Sequence, residues 1–170
     1  MRSLLPGARP DDPKSKKKDT CSILDGFYDE KNSTVYVLDL LAWNNQPMTD
    51  CDTEFRYFWL QSQFVENPEL GVISKKNKIK FSLLPKIPCS PDELNKFMMT
   101  YPYFENNSPA MDGLLFYHKH AHYISGETPL VVWLFPYMVQ EILGNGKLLS
   151  CYVEVCFLTN LTFMKQEISL

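Results

Sequence analysis

The sequence predicts an α+β fold with a largely antiparallel sheet and flanking helices. Strand-like segments alternate with helix-like segments, short turn-rich connections join neighbouring strands as in hairpins, and no internal repeat is present. The chain has 170 residues, of which 45% are hydrophobic and 14% aromatic. This length and composition are sufficient for the core of one globular domain.

The first half of the chain predicts a hairpin followed by a helix. Cys21–Tyr28 and Thr34–Trp43 are strand-like and are separated by turn residues, and Asn44-Asn45-Gln46-Pro47 ends the second strand. Asp50 or Asp52 can cap a helix that continues to about residue 64. Its aromatic residues at a spacing of three to four predict a core-facing stripe of Phe55, Phe58 and Trp59, which Ser62 can extend.

The second half predicts further strands around a capped helix. A strand is expected over Lys78–Leu84, and Ser90-Pro91-Asp92-Glu93 has the N-cap, first-position proline and capping-box glutamate of a helix start. The buried stripe of this helix is predicted to be Leu94, Phe97 and Met98. Residues 113–123 alternate as in a long strand, and Leu130–Phe135 is a short apolar strand.

Composition limits the classes of function. The net charge is −3, whereas a protein that binds nucleic acid mainly through phosphates is expected to be basic. The basic run at residues 14–18 is compatible with a nuclear localisation signal or a phosphate contact, but a solvated loop is the simpler interpretation. A nucleic-acid partner would therefore have to be recognised by a local pocket.

Neither a membrane span nor a metal site is predicted. The apolar run at residues 130–139 is too short to cross a bilayer, and residues 148–163 include Glu154 and Asn160. The five cysteines have no CxxC spacing and indicate free thiols in a reducing compartment. His118, His120 and His122 would share one face of a strand, but same-face residues lie nearly 7 Å apart, so a shared zinc ion is disfavoured.

Motifs for catalysis are also missing from the sequence. There is no G-x-S-x-G elbow, P-loop or dinucleotide-binding glycine pattern, and the chain has only seven glycines. Asp112-Gly113 opens one strand-like run, and a second short strand about twenty residues later carries the indole of Trp133. This is the layout of a nucleotide pocket in enzymes that form a lysyl-nucleotide. The lysine positions of that layout are occupied by Val132 and Leu134. The layout therefore predicts a pocket that binds a base without reacting with it.

Trp133 is the candidate ligand-binding residue. A methylated, positively charged guanine stacks well on an indole, with an attraction of about 1–3 kcal/mol. The alternative is that Trp133 is a core residue of an apolar strand, and composition alone favours this alternative.

A resemblance to a known family changes this balance. From about residue 3 to residue 139 the chain closely resembles the cap-binding domain of the snurportin family. The matching residues are Asp112–Lys119, His122-Tyr123, Thr128–Val131, Trp133-Leu134, Pro136–Val139, Tyr36–Asp39, Trp43, Pro47, Asp50-Cys51, Phe55–Tyr57, Trp59, Ser3–Gly7, Pro88-Cys89 and Pro91.

The resemblance implies a function. Snurportins recognise the trimethylguanosine cap of spliceosomal small nuclear RNAs without catalysis, and they act as nuclear import adaptors in the cytoplasm and nucleus. Their domain is similar in fold to the nucleotidyltransferase domain of mRNA capping enzymes. Trp133 is then expected to stack on the methylated guanine and Lys119 to contact phosphate, with no cofactor or metal. In that comparison Phe27 replaces a glutamate of the enzymes, after Asp25-Gly26.

The resemblance also implies three segments. Residues 1–20 would be a polar partial N-terminus, residues 21–139 a snurportin-like cap-binding domain without its first strands, and residues 140–170 a divergent tail. We therefore expect a fragment or isoform that does not by itself bind importin-β or exportin, the partners of the complete family member. The β-prone tail at residues 148–163 could pair with an open sheet edge, but we expect aggregation or poor solubility instead.

Two alternatives to cap binding remain at the level of sequence. One is an enzyme of the nucleotidyltransferase class, such as an mRNA guanylyltransferase, which would form a covalent lysyl-GMP adduct. The other is a protein-interaction fragment without a ligand.

Overall fold

The structure is a computed structural model that describes residues 3–7, 20–100, 104, 109, 111–143, 152–158 and 166–169. The chain divides into two compact units. The first consists of Met1–Leu84 with Lys165–Leu170, and the second of Pro85–Met164.

The first unit is a five-stranded sheet with one long helix. Its strands are β1 (Ile23–Asp29), β2 (Thr34–Trp43), β3 (Gln46–Pro47), β4 (Lys80–Leu83) and β9 (Gln166–Ser169), and its helices are α1 (Thr53–Glu66) and the 3₁₀ helix η1 (Pro68–Gly71). The strand order is β3-β2-β1-β9. All pairs are antiparallel except β4, which runs parallel to β2.

The turns of the first unit follow from short polar side chains. After β1, the Asp29 carboxylate accepts hydrogen bonds from the Lys31 backbone N–H and the Asn32 side-chain amide, at 3.0 and 2.7 Å. Asn44 and Asn45 both have positive φ, at 51° and 68°, and join β2 to β3 as a two-residue hairpin turn. The predicted hairpin of the first two strands is confirmed.

Helix α1 begins at the predicted cap but packs on a different face. The Asp52 side chain accepts from the Phe55 backbone N–H at 2.8 Å. The buried residues of the helix are Thr53, Arg56, Tyr57 and Leu60. The prediction of an aromatic core stripe was therefore wrong for Phe55 and Phe58, which are exposed, and only Trp59 packs partly against the core.

A buried ion pair explains why α1 buries this face and not the predicted aromatic one. Arg56 is buried and donates from Nε and Nη2 to the two carboxylate oxygens of Asp39 on β2, each at 2.8 Å. Its Nη1 and Nη2 also donate to the Cys51 carbonyl and the Thr53 hydroxyl. An uncompensated charge at these positions would be costly, so the pair fixes which face of α1 meets the sheet.

The second unit is a four-stranded antiparallel sheet with two helices. Its strands are β5 (Lys86–Pro88), β6 (Gly113–His118), β7 (Val131–Leu134) and β8 (Tyr152–Leu158), and its helices are α2 (Pro91–Met98) and α3 (Pro136–Leu143). The strand order is β5-β8-β6-β7. The strand β8, from the segment for which we favoured aggregation, lies between β5 and β6.

Helix α2 confirms its predicted start and most of its buried face. The Ser90 hydroxyl accepts from the Glu93 backbone N–H at 3.3 Å, and Pro91 occupies the first turn. Leu94 and Phe97 are buried, whereas Met98 is exposed, so Met98 was wrongly included in the stripe.

The two sheets and three α-helices of the described residues confirm the α+β class with largely antiparallel strands. None of the helices in the described part of the chain has the length and apolarity needed to cross a lipid bilayer.

Candidate functional site

The candidate site lies on the hairpin formed by β6 and β7. Leu114 pairs with Leu134, Leu115 with Trp133, Phe116 with Val132 and Tyr117 with Val131. Because side chains alternate along a strand and directly opposed residues share a face, these pairs divide between two faces of the sheet.

One face of the hairpin belongs to the core of the second unit. Leu114, Phe116 and Leu134 are buried and cluster with residues of α2 and α3, namely Leu94, Phe97 and Val139, and with Cys89. Burial raises the pKa of the Cys89 thiol to about 11. This apolar layer holds the hairpin in place and leaves the opposite face to carry Trp133.

Trp133 packs against Gly113, the first residue of β6. A Cβ atom at position 113 would overlap the indole Nε1 and Cε2 and would lie only 2.8 Å from Cζ2. Among the described residues the buried Nε1 has no hydrogen-bond partner. Because a buried, unpaired N–H does not stabilise the ring, close packing on glycine sets the position of the indole. The residue as a whole is half-buried.

Two further aromatic rings form a row of contacts that begins at Trp133. The ring of Phe135 meets the indole edge to face, with centroids 4.3 Å apart and an interplanar angle of 68°. Tyr137, at the start of α3, lies nearly parallel to Phe135 with centroids 5.3 Å apart. Phe135 and Tyr137 are both exposed, Tyr137 by 74%. The chain therefore presents a continuous aromatic surface where β7 leads into α3.

The predicted phosphate residue Lys119 lies beyond the end of β6. It is half-buried in the turn after His118 and is four positions from Leu115, the partner of Trp133. The hairpin thus carries both predicted residues, Trp133 on β7 and Lys119 in the connection between β6 and β7.

A second cation, Lys86, lies on the same face of the sheet. Register connects Lys86 on β5 through Cys156 on β8 to Leu115, and then to Trp133. The Lys86 Nζ lies 4.6 Å from the centroid of the Tyr117 ring. Three strand spacings separate Lys86 from Trp133 in this row, or about 14 Å.

The histidines do not form the alternating row that the sequence suggested. β6 ends at His118, so His120 and His122 are not on the strand. The His118 Nδ1 instead accepts from the His120 backbone N–H at 3.3 Å. Within the described ranges, no three His, Cys, Asp or Glu side chains are grouped so that they could hold a metal ion.

Asp25-Gly26-Phe27, which the resemblance compares with Asp-Gly-Glu of the capping enzymes, lies in the first unit. Asp25 on β1 is buried and pairs in register with Asp39, the partner of Arg56. A Cβ at Gly26 would collide with the Tyr36 carbonyl oxygen, so this glycine is needed for close strand packing. Asp25 and Gly26 therefore contribute to strand packing in the first unit, whereas the aromatic surface lies on the β6–β7 hairpin of the second unit.

The sequence predicted Trp133 and Lys119 as site residues and did not single out Phe135, Tyr137 or Lys86, which the structure places beside them or on the same face of the sheet. The spacing of Trp133, Phe135 and Tyr137 at every second residue was a readable signal. No signal indicated Lys86, because its place depends on β8 lying between β5 and β6.

A comparison with protein families supports the resemblance. The model of the family described as "Snurportin1, m3G cap-binding domain" matches residues 1–136, which include β6, β7, Gly113 and Trp133. The matched domain is a binding domain and not a known catalytic one.

Proposed function

Because the chain belongs to the family of Snurportin1 m3G cap-binding domains, we propose that it binds the trimethylguanosine cap of small nuclear RNA without catalysis. The observation that carries this proposal is the half-buried residue Trp133, whose indole is held against Gly113. A ring whose position is fixed by packing is suited to stack on a base.

The chemistry of the ligand fits an indole. Methylation gives the guanine a positive charge, and tryptophan is the aromatic side chain that attracts a cation best. Stacking of one base on an aromatic ring contributes about 1–3 kcal/mol. Phe135, whose ring packs edge to face with the indole, would restrict the orientation of the stacked base.

Lys119 and Lys86 are the proposed phosphate contacts. Lys119 is on the hairpin that carries Trp133, and Lys86 is on the face of the sheet that carries it. Two local cations would let a chain of net charge −3 bind a phosphate bridge without a basic surface. Lys119→Ala should weaken binding of the cap dinucleotide more than binding of the methylated nucleoside.

The test of the proposal is a titration of the purified chain with a trimethylguanosine cap analogue, followed by quenching of tryptophan fluorescence. The chain has three tryptophans, and Trp43 is buried in the first unit, so Trp133→Ala should remove most of the quenching. We expect the mutation to lower affinity by about 1–3 kcal/mol. Trp59→Phe is the matched control, and equal affinities of Trp133→Ala and the original chain would contradict the proposal.

The non-catalytic part of the proposal has its own test. Incubation with radiolabelled GTP and a divalent metal should give no acid-stable lysyl-GMP adduct, because Val132 and Leu134 occupy the lysine positions of the enzyme layout. An adduct that survives denaturation would instead support a nucleotidyltransferase.

We further propose that cap binding serves nuclear import of small nuclear ribonucleoproteins, with the protein in the cytoplasm and nucleus. Importin-β and exportin would be the partners of the complete family member. A fluorescent fusion that carries Trp133→Ala should still enter nuclei but should no longer carry capped RNA with it. Normal RNA import by this variant would contradict this part of the proposal.

A further inference from the structure

Helix α1 is apolar on the side that faces away from its core. Phe55, Phe58 and Val65 are 45%, 62% and 81% exposed. With Ser62 they form a stripe at spacings of three, four and three residues, so they share one side of the helix. The core-facing residues Thr53, Arg56, Tyr57 and Leu60 lie on the opposite side. We call the stripe of Phe55, Phe58, Ser62 and Val65 the outer stripe.

The outer stripe is more than a scatter of single apolar residues. Trp59 packs partly on the core and stacks against Phe55, with centroids 6.3 Å apart and an interplanar angle of 28°. Isolated exposed apolar residues are common, whereas grouped aromatic residues on one surface indicate a binding surface. Phenylalanine and tryptophan are also enriched in the interfaces of protein complexes.

Acidic residues surround the outer stripe. Between Lys31 and Lys75 the only basic residue is Arg56, whose guanidinium is buried against Asp39. Exposed acidic side chains lie before, along and after the helix, and these are Asp50, Glu54, Glu66 and Glu69. Glu54 is four residues from Phe58, and Glu66 is four residues from Ser62, so each flanks the stripe. The exposed lysines Lys75 and Lys76 follow η1 and are not on the helix.

We propose that the outer stripe is a docking surface for a basic amphipathic segment of a partner protein. Apolar side chains of that segment would cover Phe55, Phe58 and Val65, and its lysines or arginines would meet Glu54 and Glu66. The acidic border excludes a phosphate backbone as the occupant. The surface belongs to the first unit and Trp133 to the second, so this proposal does not depend on cap binding.

A pair of designed peptides tests the proposal. The probe is an amphipathic peptide of about 18 leucine and lysine residues with helical spacing, and its counterpart replaces every lysine with glutamate. Fluorescence anisotropy with the full chain should detect binding of the lysine peptide that weakens as salt is added, and no binding of the glutamate peptide. Equal binding of the two peptides, or salt-independent binding, would overturn the proposal.

Variants locate the binding on the helix. Phe58→Ser with Val65→Ser should weaken the lysine peptide at least about tenfold, because interface aromatics commonly dominate affinity. Met99→Ser with Ile124→Ser is the matched control, since both side chains are exposed in the second unit. Unchanged binding by the Phe58/Val65 variant would overturn the proposal. So would a concentration-dependent dimer in sedimentation that this variant abolishes, because a second copy of the chain would then be the occupant.

Discussion

At the scale of single residues, Gly113 and Trp133 act as a pair. The glycine is required because any Cβ at position 113 would overlap the indole, and the indole has no hydrogen bond at its buried Nε1 to hold it elsewhere. The position of the proposed stacking platform is therefore encoded by a residue that has no side chain.

Gly113→Ala should displace Trp133 and reduce cap-analogue affinity at least about tenfold, or about 1.4 kcal/mol. The control is Gly71→Ala, where the added Cβ would meet only the Phe81 carbonyl oxygen at an ordinary 3.8 Å. Fluorescence titration and thermal melting of both variants provide the measurement. Full affinity in Gly113→Ala would show that the indole position does not depend on this contact.

Cys89 should react more slowly with alkylating reagents than Cys21 and Cys51, the other two cysteines whose side chains the structure describes. The thiolate is the reactive form, and burial raises the pKa of Cys89 to about 11, so only about one molecule in a thousand is ionised at pH 8. Cys21 and Cys51 are free and only half-buried. Alkylation by iodoacetamide, followed by mass spectrometry of the peptides, should label Cys21 and Cys51 before Cys89, and the Cys89 rate should rise as pH approaches 11. Equal rates at pH 8 would contradict this assignment.

The same thiol affects stability in alkaline solution. Its pKa is raised above the ordinary value of 9.0, so between pH 9 and pH 11 the unfolded chain loses this proton while the folded chain retains it. The unfolded state then binds fewer protons, and the free energy of unfolding falls as pH rises through this range. Cys89→Ala should reduce the slope of stability against pH there.

At the scale of elements, local signals predicted where helices and strands begin, and distant partners decided which face is buried. Asp52, Ser90 and the Asn44-Asn45 turn act on neighbouring backbone groups and could be read directly. The buried face of α1 could not be read in this way. It depends on Asp39, which is 17 residues from Arg56 and lies on another element. An arginine in an aromatic helix looks like a solvent-facing residue until that partner is known.

In the candidate site too, local motifs could be read from the sequence, whereas features that depend on distant partners could not. Trp133 and Lys119 were predicted because they lie in a recognisable local motif, and both are on the hairpin. The alternating pattern at residues 113–123 did not reveal that β6 ends at His118, where the chain turns and the His120 N–H bonds to the His118 ring. Lys86 could not be assigned to the face of Trp133 from sequence, because that requires the order of four strands.

Asp39→Asn tests the element-scale role of the ion pair. It would leave the buried Arg56 guanidinium without a matching charge, and breaking such a pair typically costs about 3–5 kcal/mol. Chemical denaturation should show this loss. Glu54→Gln, which changes an exposed carboxylate on the same helix, should change stability by less than about 1 kcal/mol. A loss of similar size in both variants would mean that the pair does not fix α1.

At the scale of the whole molecule, segments near the end of the chain complete both sheets. β8 pairs with β5 and β6, and β9 pairs with β1. The family match ends at residue 136, before both strands. The second sheet, which carries Trp133, thus depends on a strand outside the matched region, and β6 has β8 on one side and β7 on the other.

Val155→Pro should therefore disrupt the proposed cap site from a distance. Val155 is central in β8, opposite Ile87 of β5 and Phe116 of β6, and proline cannot donate a backbone hydrogen bond within a sheet. Without this pairing, β6 would have an unpaired edge that favours association with other chains. We expect a lower melting temperature, aggregation in size-exclusion chromatography and loss of cap-analogue binding. Val155→Ala retains the backbone N–H and should lower the melting temperature much less.

If Val155→Pro remains monomeric, melts cooperatively and binds the cap analogue normally, β8 is dispensable. Our preference from sequence, that this segment promotes aggregation, would then be supported by better solubility of a chain ending at residue 143.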